Sequence, residues 1–113
     1  MESTTFALSI SREKIAAVRG FVAELLGARR AEFERSWQDK GITRESAWLQ
    51  QIPDGALVLV RFEAHDLERA FGALAASGAP FDRWYRERVL EIYGVDLTNP
   101  SGPNELLADW QAP

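Results

Sequence analysis

Apolar and polar positions change period several times along the chain, and each change marks an element. From Thr5 to Ile10 the alternation is strict, with Phe6, Leu8 and Ile10 on one side and Ala7 and Ser9 on the other. Period two over that length is the mark of a half-buried strand. Ser11 then offers a helix N-cap, and Ile15, Val18, Val22, Leu25 and Leu26 follow at spacings of three and four, the stripe of an amphipathic helix. Gly27 interrupts it, yet Phe33 and Trp37 carry the 3.6-residue period onward through Ala28 to Lys40. The pattern predicts a long helix kinked or broken near Gly27 and stopped at Gly41. Ser46 to Ile52 alternates again, Pro53-Asp54-Gly55 is turn chemistry, and Leu57 to Phe62 is β-branched and apolar. That pair predicts a hairpin whose second strand lies centrally in a sheet, because it is apolar on both faces as far as Val60. Asp66 caps a second helix with the stripe Leu67, Ala70, Phe71 and Leu74, ended by Ser77-Gly78. Pro80 opens a further helical segment through Phe81, Trp84, Tyr85, Val89 and Ile92, with Gly94 past its end. A loop from Asn99 to Asn104 leads to a last expected strand, about Glu105 to Trp110.

Strand, helix, strand, strand, helix, strand is the split βαβ arrangement. The predicted fold is therefore α+β and ferredoxin-like: one domain over residues 1–113, with a four-stranded antiparallel sheet and helices on one face. Right-handed crossovers put both helical layers on the same side, so the other face of the sheet is bare. Its candidates are Trp48, Leu59 or Val60, and Leu107 or Trp110. An apolar face of that size exceeds what a monomer usually exposes, and a second copy, sheet against sheet, is the economical cover. A homodimer is the expectation, with a small ligand held in a cavity between sheet and helices.

Composition narrows the chemistry. The 113 residues contain no Cys, which excludes disulfides, thiolate nucleophiles and Cys-ligated metals. A net charge of -4 argues against a nucleic-acid partner, which selects a clustered basic surface. No apolar run approaches the roughly 20 residues of a membrane span, and Met1 to Thr5 lacks the basic start and apolar stretch of a secretory signal. The expected location is cytoplasmic, with no membrane partner. Carboxylates are scattered without ligand spacing, so no metal and no cofactor are expected.

The residues able to carry chemistry are few. His65 is the only histidine and the only side chain that ordinarily titrates near neutrality. It is a candidate proton carrier, set against the plainer reading of a solvated residue at a helix start. Tyr93 is a second candidate, a phenol needing a partner. Trp48, Trp84 and Tyr85 are candidate pocket walls, and Arg61 is a candidate ligand-binding residue that would form a buried ion pair with Glu63 if their side of the strand faces the helices. The alternatives are that Tyr85 simply faces the core and that Arg61 and Glu63, on one side of their strand, are outward rim charges.

Three segments carry a further likeness: Trp48-Leu49-Gln50-Gln51, Phe81-Asp82-Arg83-Trp84-Tyr85-Arg86-Glu87 and Glu91-Ile92-Tyr93-Gly94-Val95-Asp96-Leu97. With them the chain resembles the dimeric α/β-barrel superfamily, and within it an uncharacterised group. The resemblance implies small ferredoxin-like proteins paired through their sheets, and it admits two functions. One is binding of a small apolar or aromatic molecule without chemistry. The other is a cofactor-independent enzyme of monooxygenase or isomerase type, with His65 or a Tyr moving the proton. Whether the protein is an enzyme stays open at this level.

Overall fold

The computed structural model describes residues 1–99 and 104–113. It is an α+β arrangement of three strands and four helices, in the order β1 (Glu2–Ile10), α1 (Ile15–Leu26), α2 (Arg30–Asp39), β2 (Ile42–Ile52), β3 (Gly55–Ala64), α3 (Leu67–Ala76) and α4 (Pro80–Tyr93). The strands form one antiparallel sheet in the order β1-β3-β2, which puts β3 in the centre as its apolar character requires. The layout is compatible with a ferredoxin-like one, but three strands are present among the described residues where four were expected. The correction concerns Glu105 to Trp110, which pair with nothing and stand exposed throughout. Part of the Asn99 to Asn104 loop lies outside the described residues. No described helix is long and apolar enough to cross a membrane.

Strand register follows from alternation. On β3, Ala56, Val58, Val60, Phe62 and Ala64 are buried, while Leu57, Leu59, Arg61 and Glu63 between them are only partly so. Phe6 opposite Val60, Leu8 opposite Val58 and Ile10 opposite Ala56 extend the buried face onto β1. The helices seal that face, contributing Val18, Phe21 and Leu25 from α1, Trp37 from α2, Ala70 and Leu74 from α3, and Phe81, Tyr85, Val89 and Ile92 from α4. The opposite face carries Ala7, Leu57, Leu59 and Trp48 at its centre, with Ser46, Arg61, Arg44 and Glu63 toward one end. Val60 points to the helices, so of the two alternatives Leu59 is the residue on the open face.

The helical breaks have local causes. α1 and α2 are the two halves of the expected long helix, parted at Gly27, where a Cβ would lie 2.7 Å from the Ala23 carbonyl oxygen. Ser11 does not cap α1: its side chain makes no capping bond, and the chain enters through a 3-10 turn at Arg12–Lys14. Arg12 is then free to reach the hairpin, donating to the Ile52 and Pro53 carbonyls at 3.1 and 3.0 Å. Gly55 closes that hairpin at φ 147°, and a Cβ there would meet the Ile10 carbonyl oxygen at 2.5 Å, so only glycine fits against β1. Asp66 caps α3 by accepting from the Arg69 amide at 3.0 Å.

One polar knot ties the helix layer together. Lys40, just past α2, and Asp82 on α4 form an ion pair of 2.9 Å with both side chains almost wholly buried. Ser36 donates to the second Asp82 oxygen at 2.5 Å and accepts from Lys40 at 2.6 Å. Burial alone would raise the Asp82 pKa, but hydrogen bonds from Ser36 and Ser77 and the Lys40 charge hold it below the usual carboxylate value. Asp82→Ala strands the Lys40 charge in this layer, and chemical denaturation is expected to show a loss of about 3–5 kcal/mol. The double variant Lys40→Met, Asp82→Leu removes both charges and is expected to recover most of it.

Candidate functional site

β2 reaches four residues further toward its N-terminus than the alternation from Ser46 suggests. The extension puts Glu45 on the strand opposite Phe62, in the helix-facing row that continues through Ala47 and Leu49. A carboxyl is thereby inserted between sheet and helices. Trp37 Nε1 donates to one of its oxygens at 2.8 Å, and the Tyr85 hydroxyl donates to the other at 3.3 Å. The two donors also pack on each other, edge to face, with ring centroids 4.7 Å apart. Phe33, Phe81 and Phe21 surround them at ring distances of 5.1 to 6.3 Å.

No cation pairs with Glu45 among the described residues; both of its partners are neutral. Burial pushes its pKa from the ordinary 4.5 up to about 7, although the Trp37 and Tyr85 hydrogen bonds pull the other way. The same environment acts on the phenols. Burial, with the Glu45 charge beside it, raises Tyr85 well above its ordinary value, and burial and then the Glu45 charge raise Tyr93. The cluster thus sets a carboxyl pushed up toward neutrality against a phenol, Tyr85, that donates to it and is itself pushed up.

Beside it the layer is not fully closed. A hollow of about 180 Å³ lies between α1 and β2, lined by Val18, Arg19, Val22, Ala47, Trp48, Leu49 and Val58. Ala47 and Leu49 belong to the Glu45 row, so the apolar hollow and the carboxyl lie along one strand face. A larger depression of about 360 Å³ on the outer side of α4, lined by Arg83, Arg86, Glu87, Leu90, Asp96 and Thr98, lies away from this layer. Arg86 there is committed to the Leu74 and Ser77 carbonyls at 2.7 and 2.8 Å, where it closes the end of α3.

The residues singled out from sequence are dispersed. Tyr85 stands in the Glu45 cluster and Tyr93 is near enough to feel its charge. Trp84 is part-buried on the helix side, against Phe21 at 5.5 Å and under the Arg29 guanidinium at 4.3 Å. Trp48 and Arg61 point to the open face, where Arg61 pairs with Glu63 at 3.1 Å and Arg44 approaches the same carboxylate at 3.7 Å. His65 is exposed, and its only hydrogen bond among the described residues is a backbone one to the Gly41 carbonyl. Glu45 was missed altogether. The signal was parity: it shares the face of Ala47 and Leu49 once the strand is run back to Ile42. No protein-family model, curated protein or solved structure matches the chain.

Because folding raises the Glu45 pKa, the folded state binds the proton more tightly than the unfolded chain. Its contribution is whole below pH 4.5 and is lost as pH rises toward 7. Glu45→Gln abolishes that loss. The stability difference between variant and parent, measured by urea denaturation, is expected to grow in favour of the variant between pH 4.5 and 7, by about 3 kcal/mol. A difference that does not vary with pH would remove the raised pKa from the account.

Proposed function

We propose that this chain is a homodimeric domain of the dimeric α/β-barrel type that binds a small apolar or aromatic molecule at the sheet–helix boundary, with Glu45 as its polar anchor. The observation that carries the reading is the position of an uncompensated carboxyl on the strand face that also lines an apolar hollow. Ligand sites are usually apolar clefts with a few placed polar groups. At about 180 Å³ the hollow is below the common range for drug-sized ligands, which restricts the occupant to about one ring. An unpaired carboxylate repels anions, so the preferred ligand carries a hydrogen-bond donor, as a phenol or an aromatic amine does. The open sheet face supports the pairing half of the reading, with Trp48 exposed and Leu57 and Leu59 beside it only partly covered by the chain itself.

One observation favours a second reading, cofactor-independent proton transfer of isomerase type. A base poised near pH 7 suits abstraction of a proton next to a carbonyl, and Glu45 has that poise. The proton carrier is then Glu45 with Tyr93 as the partnering acid, and not His65, which stands in solvent.

Amide-shift titrations with phenol and toluene separate binding from its absence. Phenol is expected to move the resonances of Val18, Val22, Ala47, Leu49 and the Trp37 indole, and Glu45→Gln is expected to weaken phenol at least tenfold while leaving toluene unchanged. Phenol shifts confined to other regions, or indifferent to Glu45→Gln, would sink the site. For the second reading, α-proton exchange of a small cyclic ketone in deuterated water is expected to rise with pH to a plateau above about 7 and to vanish in Glu45→Gln. Binding without exchange would leave the first reading alone standing.

A further inference from the structure

Residues 104–113 contain three large apolar side chains that the protomer does not cover: Leu106, Leu107 and Trp110 are 78%, 87% and 80% exposed. Every described residue of this tail is exposed, and none pairs in the sheet. Its root lies against β1, where the Asn104 side-chain amide meets the Thr5 carbonyl. That bond lies at the outer side of the sheet, where β1 has β3 on one flank only. The same protomer presents an uncovered sheet face, with Trp48 53% exposed and Leu57, Leu59 and Ala7 around it. One chain thus holds an apolar arm and an apolar seat, and does not join them.

Surface area says how much is left uncovered. The chain exposes 7677 Å² at a mass of 12.7 kDa, about 1,400 Å² more than folded monomers of that mass. The Cα radius of gyration of 14.7 Å likewise exceeds the roughly 13 Å of a compact chain of this length. The excess exceeds the ~800 Å² per partner of a standard interface. Charge agrees in sign. The tail carries Glu105 and Asp109 and no cation, while the open face carries Arg44 and Arg61 against the single Glu63. Reach is sufficient, since ten extended residues span roughly 33 Å, comparable with the length of β1.

We propose that the tail of each protomer crosses to a second copy and lies on its open sheet face, seating Leu106, Ala108 and Trp110 against Trp48, Leu57 and Leu59. Those three tail residues share one side of an extended chain. The contact is reciprocal: each copy gives an arm and receives one, the closed two-fold arrangement of an isologous dimer. The inference rests on the pairing through sheets and adds to it the element that does the covering.

The absence of Cys makes the test clean. Leu59→Cys, Trp110→Cys in one chain is expected to oxidise to a covalent dimer, while the control Gln38→Cys, Trp110→Cys, with its thiol on the exposed side of α2, is not. A disulfide closed within one chain would show that the tail covers its own sheet and would overturn the exchange. In a second experiment Leu106→Asp, Trp110→Asp, which alters no buried residue, is expected to raise the dimer dissociation constant at least 100-fold by light scattering, with unchanged circular dichroism. A dimer unaffected by these substitutions, with no cross-link, would leave sheet pairing intact and remove the tail from it. A parent protein monomeric at millimolar concentration would remove both.

Discussion

The structure depends on one constraint, the strict alternation of β3 between two unlike environments. Its even-numbered residues from Ala56 to Ala64 are all apolar and sealed by helices, and its odd-numbered ones pass from Leu57 and Leu59 to Arg61 and Glu63. A one-residue slip would place an arginine and a glutamate beneath the helices and lift Phe62 into solvent. Register is therefore fixed from the centre outward. β1 and β2 inherit it through pairing, and with it the side on which every later side chain falls.

Within the sealed layer two carboxyls meet opposite treatment. Asp82 is given a cation and two hydroxyl donors, stays charged, and tethers α2 to α4. The Ser36–Lys40 spacing on one helix turn looks like a nucleophile with its base, but Lys40 donates to both Ser36 and Asp82 and Ser36 gives its own proton to Asp82. The trio is held together for packing. Glu45 lies in the same layer and receives two neutral donors and no charge. Only a group left in that condition keeps a proton in play near neutrality. The contrast between the two carboxyls, rather than the presence of either, is what separates a structural tie from the polar group on which the proposed site rests.

Much of this was legible in the chain. The break at Gly27, the central position of the third strand, the Asp66 cap and the start of α4 at Pro80 are all carried by local stereochemistry, which sequence states directly. Arg61 and Glu63 resolved to the outward alternative because alternation put Val60 and Phe62 inward. The Glu45 site was not legible for a physical reason. A carboxylate beside Arg44 and Ser46 reads as a solvated loop residue, and only tertiary contact with Trp37, eight residues back, and Tyr85, forty ahead, makes it interior. The expected last strand failed for the converse reason. Leu106 to Trp110 has the apolar content of a strand, but apolar content does not say which surface it will meet.

The open sheet face and the strand row of Glu45 meet at β2. Trp48 stands on the open face, while Ala47 and Leu49 on either side of it line the hollow beneath α1, and Trp48 itself borders that hollow. β2 is an edge strand, paired in the sheet with β3 alone and tied to the helix layer through Glu45, which accepts from Trp37 and Tyr85. An apolar segment laid over Trp48 would pack on the strand whose Ala47 and Leu49 line the hollow on its other side. The sheet face and the carboxyl site need no longer path between them than the thickness of one backbone.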